Sequence, residues 1–149
     1  MTRAVFDTNV FVSALLVPTG TPADILNMAL DGKIELILSH RLLDEIVRVL
    51  QYPHLKKRLE KAGAGLDEIR AFLEMLIEAS EVVPGDMRIK AVSDEPSDDM
   101  VLACAVEGRA DVIISGDQHL KALKMFRGIA IVTPRAFLDD HRGLYQGNF

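Results

Sequence analysis

Short aliphatic runs alternate along this chain with longer stretches of helical spacing. Arg3-Ala4-Val5-Phe6 reads as a buried strand, followed by a helical segment over about 8–16 that Pro18-Thr19-Gly20 breaks. Thr21-Pro22-Ala23-Asp24 has the form of a helix start, a capping threonine with proline in the first turn, and that helix ends before Gly32. Residues 34–38 make a second strand, with Ser39 placed to cap the helix beyond it. From there to about Ala79 the spacing is helical, interrupted at Pro53 and at Gly63-Ala64-Gly65. Glu81-Val82-Val83 is a short strand stopped by Pro84-Gly85, and residues 86–97 are polar and irregular. A helix over about 98–107, a strand at 112–114, a short helix over 118–123, a strand at 129–132 and a helix capped by Thr133-Pro134 complete the pattern. Strands alternating with helices predict an α/β fold with a parallel sheet, and the nearly continuous aliphatic strands predict helices on both of its faces.

Composition narrows this picture. At 149 residues the chain fits a single domain, 1–149, with an ordered core over about 3–138 and a loose tail from His141 onward. Aromatic residues are only 5% and tryptophan is absent, so the core must be aliphatic. The lone cysteine, Cys104, sits in an apolar segment and is expected in the core of a protein from a reducing compartment. Asp7 and Asn9 interrupt the first apolar run, so no signal peptide is expected, and no run reaches the ~20 apolar residues of a membrane span. A cytoplasmic protein without membrane contact is the expectation. The net charge of −5 argues against a large basic face that coats duplex nucleic acid. It does not argue against a nuclease, because carboxylates that hold divalent metals count as negative until the metal arrives.

The acids fall in a telling place. In an open parallel sheet, ligands bind beyond the carboxyl ends of the strands, near the point where strand order reverses. Val5-Phe6 runs directly into Asp7, and Val112-Ile113-Ile114 into Ser115-Gly116-Asp117. A carboxylate there is costly to bury unless a cation, a basic side chain or a capping bond answers it. On the helix after the second strand, Leu42, Leu43, Ile46, Val47, Val49 and Leu50 form the apolar stripe. Asp44 lies on the far side, where Arg48 at i+4 can pair with it, and Glu45 borders the stripe within reach of the sheet edge. For Glu45 a solvated face and a functional role are both open. Asp98, at a helix start, reads as an N-cap or as a ligand; the crowding of Asp94, Glu95, Asp98 and Asp99 favours a cation. Oxygen ligands of this kind suit Mg²⁺ or Mn²⁺, one ion or two, rather than zinc, for which no Cys/His cluster exists.

These residues carry a resemblance. Val5-Phe6-Asp7-Thr8-Asn9-Val10-Phe11 resembles the opening motif of PIN (PilT N-terminus) domains, and Leu42-Leu43-Asp44-Glu45-Ile46 the second acidic motif, at Glu45. Glu95-Pro96-Ser97-Asp98-Asp99 is similar to the third, at Asp98, and Ser115-Gly116-Asp117-Gln118-His119-Leu120 to the fourth, at Asp117. The resemblance implies a three-layer α/β/α sandwich around a parallel sheet. It also implies metal-dependent endonucleolytic cleavage of RNA with Asp7, Glu45, Asp98 and Asp117 as catalytic metal ligands. The similarity is to the branch of VapC-like toxins from toxin–antitoxin pairs, implying single-stranded RNA as substrate, an antitoxin partner and a homodimer. That branch has aspartate where this chain has Glu95, so Glu95 stands as a secondary ligand.

Around the acids, Asn9 and Ser115 are expected to orient ligands or waters, although Asn9 reads equally as the cap of the first helix. Lys56, Lys57 and Arg58 form a basic patch that could hold RNA phosphates or simply be a solvated helix face. Leu66, Ile69, Leu73, Leu76 and Ile77 are expected in the core or at a dimer interface. A phosphatase of the haloacid-dehalogenase type would carry a second aspartate where this chain has Asn9. A response-regulator receiver would carry paired acids near its first strand. The alternative that survives is a catalytically silent metal- and RNA-binding module acting through a protein partner.

Overall fold

The aliphatic runs pair into one sheet. The computed structural model describes residues 1–89 and 96–141. β1 (Arg3–Phe6) is flanked on one side by β2 (Glu35–Ser39) and then β3 (Ser80–Val83). On its other side lie β4 (Val112–Ile114), β6 (Ile129–Val132) and the edge strand β5 (Met125–Phe126). Every pairing is parallel except β5 with β6. Between the strands run α1 (Thr8–Leu16), α2 (Thr21–Leu30), α3 (His40–Leu50), α4 (Pro53–Lys61), α5 (Leu66–Ala79), α6 (Pro96–Glu107), α7 (Gln118–Leu123) and α8 (Pro134–Asp140).

Successive strand residues point to opposite faces, yet Ala4, Val5 and Phe6 are all fully buried, as are Ile37 and Leu38. Helices therefore cover both faces of the centre of the sheet, the α/β arrangement expected from the aliphatic strands. Cys104 on α6 is wholly buried, and burial pushes its thiol up to about 12, which makes it an inert core residue. α5 is split: Phe72 and Leu76 enter the core, Ile69 and Leu73 lie half-buried, and Leu66 and Ile77 remain exposed. Among the described residues no single helix is long and apolar enough to cross a membrane.

Four boundaries differ from the sequence expectation. α2 is preceded by Gly20 at the cap position, so Thr21 is its first helical residue rather than its cap. The second strand starts one residue later, at Glu35, and the third one earlier, at Ser80. α6 opens at Pro96, so Asp98 is its third residue rather than its cap. The unexpected strand is β5, joined to β6 by Arg127 and Gly128, both at positive φ (49° and 81°), the backbone of a tight hairpin turn. Of the expected loose tail, all but His141 lies outside the described residues.

At the amino end of the sheet Arg3 joins three strands. Its guanidinium pairs with Glu35 on β2 at 3.0 Å and Glu81 on β3 at 2.6 Å, and donates to the Gly108 carbonyl at 2.6 Å. The carbonyl is within reach because the chain leaving α6 passes close to β2. A Cβ on Gly108 would come within 2.3 Å of Ile37 Cγ2 and 3.0 Å of the Cys104 carbonyl oxygen. Gly108→Ala is accordingly expected to destabilise the fold by about 1–3 kcal/mol, the usual cost of forcing extra volume into a packed interior. A urea midpoint equal to that of the parent protein would contradict this close approach.

Candidate active site

β1 and β4 are neighbours in register, Phe6 opposite Ile114, and they run the same way. Strand order reverses between them: from β1 the chain goes outward to β2 on one side, and returns at β4 on the other. Asp7 and Ser115 are the first residues beyond the paired ends, and the Asp7 amide donates to the Ile114 carbonyl at 3.0 Å. Both therefore hang from the two central strands, at the crevice where an open parallel sheet binds ligands.

Asp7 occupies the N-cap position of α1, but its side chain makes no capping hydrogen bond. The carboxylate turns instead to Ser115, whose hydroxyl donates to Oδ2 at 2.7 Å. The same Ser115 oxygen accepts from the Asp117 amide at 2.9 Å. One hydroxyl thus fixes the carboxylate after β1 against the backbone of the acid after β4. Because Asp7 is the cap residue and α1 begins at Thr8, Asn9 is not the cap. It lies exposed in the first turn.

Asp7 is 6% exposed, and its carboxyl is held above the ordinary aspartate value. Burial is the main cause; the Ser115 bond opposes it, and the charges of Asp117 and Asp98 add to it. The acids that follow β4 and open α6 are therefore both close enough to act on Asp7. Asp98 is 2% exposed in the first turn of α6. Asp117 caps α7, its Oδ1 accepting from the His119 and Leu120 amides at 2.8 and 3.1 Å. A capping role accounts for one of its oxygens. Beside this cluster Thr8 Oγ1 and Asp99 Oδ1 are buried without a hydrogen-bond partner among the described residues.

Glu45 is also buried, at 8% exposure, but stands apart from the three aspartates in what it touches. Arg48 forks onto it, with Nη2 at 2.6 and 2.8 Å from its two oxygens, and reaches Tyr52 Oη at 2.8 Å. Arg48 turns to Glu45 at i+3, not to Asp44 at i+4 as the helix spacing had suggested, because Glu45 is the buried acid that needs a counter-ion. Glu45 and Arg48 share a groove of about 570 Å³ with Asn9 and Arg58. The basic patch of α4 is divided: Arg58 lines this groove, Lys56 lines a separate apolar one between α3, α4 and α5, and Lys57 is exposed. Glu95 lies outside the described residues.

The donor chemistry fits a hard divalent cation: ligands with oxygen atoms only, one of them desolvated, with no lysine or arginine pairing with Asp7 among the described residues. Their side chains do not converge as a finished cage. No three His, Cys, Asp or Glu groups among the described residues stand where they could hold one ion together. Sequence reasoning missed Arg48 as the partner of Glu45 and Tyr52 as the partner of Arg48. The i+3 and i+4 spacings were the available signals.

Two comparisons with known proteins bear on the site. A family model described as PIN domain matches residues 3–119, a span holding Asp7, Glu45, Asp98 and Asp117. The chain is also similar to "Uncharacterized protein MJ1680" of Methanocaldococcus jannaschii, at 31% identity over 146 residues, covering 93% of this chain and 90% of that protein.

The raised Asp7 carboxyl makes a stability prediction with a definite sign. The folded chain holds this proton more tightly than the unfolded chain, so the contribution to stability is fullest below the ordinary aspartate value. It is lost as pH rises through the raised folded value. Asp7→Asn removes the titration and keeps an acceptor for Ser115. In EDTA it is expected to be more stable than the parent at neutral pH, with the gap closing in acid. Urea titrations across that range that gave superimposable curves would show that Asp7 carries no such burden.

Proposed function

Because the chain belongs to the PIN-domain family, whose fold is of nuclease type, we propose that it is an endoribonuclease dependent on Mg²⁺ or Mn²⁺. The observation that carries the reading is the buried Asp7 carboxylate, tied through Ser115 to Asp117 across the β1/β4 crevice, its proton held more tightly because of burial and, to a lesser extent, the charges of Asp117 and Asp98. Asp7, Asp98 and Asp117 would hold the cation, with Glu45 as the fourth acid. Bound there, a divalent cation supplies acidification of water and neutralises charge on the phosphate and the leaving oxygen. Ser115 keeps the Asp7 carboxylate aimed along the crevice, and Asn9, exposed in the same turn, is placed to orient water or a phosphate oxygen. The buried setting of Asp7 and Ser115 strengthens their interactions relative to open water.

In this reading the chain acts in the cytoplasm on single-stranded RNA as the toxin of a toxin–antitoxin pair. Support for the toxin role is the likeness of the four acidic motifs to that branch. For a homodimer the support is the exposed apolar residues of α5, Leu66, Met75 and Ile77. The fork of Arg48 on Glu45 favours one alternative, a metal- and RNA-binding module that stays silent until a protein partner acts on it.

The deciding experiment incubates the purified chain with mixed single-stranded RNA in Mn²⁺, Mg²⁺ or EDTA, beside Asp7→Asn, Asp117→Asn and Ser115→Ala. Cleavage is expected only with metal, lost in both aspartate variants, and reduced about 10–100-fold in Ser115→Ala, the usual effect of losing an outer-shell partner. Cutting that persists in EDTA would overturn the reading. Metal binding by a folded protein that never cuts would favour the silent module.

A further inference from the structure

A groove leads away from the acids, and beyond Asn9 and Glu45 it is lined by Arg48, Tyr52, His54 and Arg58, to which the cleavage reaction assigns no role. It opens between α1, α3 and α4 and begins where Asn9 and Glu45 line it. Its far wall is built by the start of α4. Pro53 occupies the first helical position, Leu59 turns into the core, and His54 and Arg58, four residues apart, line the groove together with the buried Leu55. Tyr52, just ahead of the helix, completes the wall. The Tyr52 and His54 rings lie 6.3 Å apart and tilted by 33°, flanking each other without stacking face to face. Arg48, 62% exposed, stands 5.7 Å from the centre of the Tyr52 ring. Two guanidinium groups and two exposed aromatic rings are thereby gathered into one hollow of a chain whose net charge is −5.

We propose that this groove seats one nucleotide of a single-stranded RNA next to the cleaved bond, its base stacked against Tyr52 and His54 and its phosphate held by Arg58 with Arg48. Aromatic faces with adjacent guanidinium groups are the combination that single-stranded nucleic acid requires, because every base offers a π-face and every linkage a negative charge. Paired bases in a duplex would not present those faces. An acidic peptide would satisfy the arginines and leave the rings unused. The groove's volume, about 570 Å³, is that of a small-ligand site. Arg48 is already committed to Glu45, so Arg58 takes the larger share of the phosphate. The inference rests on the ribonuclease reading only for where the cleaved phosphate lies; binding in the groove needs neither metal nor chemistry.

Binding is therefore measured apart from cleavage, by fluorescence anisotropy of a labelled mixed-sequence single-stranded RNA with the Asp7→Asn protein in EDTA. Adding Tyr52→Leu is expected to weaken binding about tenfold, the scale of one lost base stack, whereas Tyr52→Phe, which keeps the ring and loses only the hydroxyl that Arg48 donates to, weakens it clearly less. Arg58→Ala should lower the slope of log Kd against log salt by about 0.7, one phosphate contact on a single strand. Arg70→Ala, an equal loss of charge at the separate apolar groove, should leave both unchanged. In the otherwise unmodified protein with metal, Tyr52→Leu should raise KM and spare kcat. Equal losses in Tyr52→Phe, or Tyr52→Leu binding like its parent, would overturn the proposal. So would duplex RNA bound as tightly as the single strand, or an acidic peptide of matched charge that competes equally. If the unmodified protein never cuts but the Tyr52 and Arg58 effects hold, the groove stands and the ribonuclease reading falls; cutting with those effects absent reverses the two.

Discussion

Burying a carboxylate beside other carboxylates is the constraint to which this architecture answers. Asp7 directly follows a central strand whose residues Ala4, Val5 and Phe6 are wholly buried, and it is itself only 6% exposed. An isolated ion in such a place costs several kcal/mol. The local response is modest: a hydroxyl bond from Ser115 and a smaller contribution from the Thr8 backbone, with two further aspartates making matters worse. A fold under pressure for stability alone would place an asparagine or a serine there. The parallel sheet makes the crowding possible in the first place, because it brings the carboxyl ends of its strands, and the helix starts that follow them, to one edge.

A second buried acid in the same neighbourhood is handled in the opposite way. Glu45 receives a bidentate arginine from its own helix, and that arginine is steadied by Tyr52. The contrast is between Asp7, which pairs with no lysine or arginine among the described residues, and Glu45, which already holds one. Any cation that joined all four acids would have to compete with Arg48 for Glu45. The adjoining groove gives Arg48 another anion to meet, so the acids and the groove are chemically linked.

Much of this was legible in the sequence. Strands of pure aliphatic residues mark a doubly covered parallel sheet, and Asp7 and Ser115 follow theirs directly, with Asp117 two residues on, so their convergence needed little more than the sheet. Ser39 and Thr133 cap the helices expected of them. What escaped depended on pairings the chain brings together or on turns without the usual residues. β5 is two residues long, and its hairpin uses Arg127 and Gly128 where Asn-Gly would have signalled it. Glu45 and Arg48 lie three apart, but choosing Glu45 over Asp44 required knowing which acid is buried. The aromatic wall of the groove involves Tyr52 and His54 either side of a helix-starting proline, a position that reads only as punctuation until α1 is seen opposite it.

The direction of β1 also settles how the protein can be handled. Its amino end carries the Arg3 clip and its carboxyl end the acids, roughly 13 Å of strand apart. A tether or affinity handle fused ahead of Met1 leaves from the clipped end. Anchored that way to a sensor surface, the molecule would present its acidic edge to the passing solution, free of the attachment, and the clip spanning three strands would take the pull before it reached the crevice.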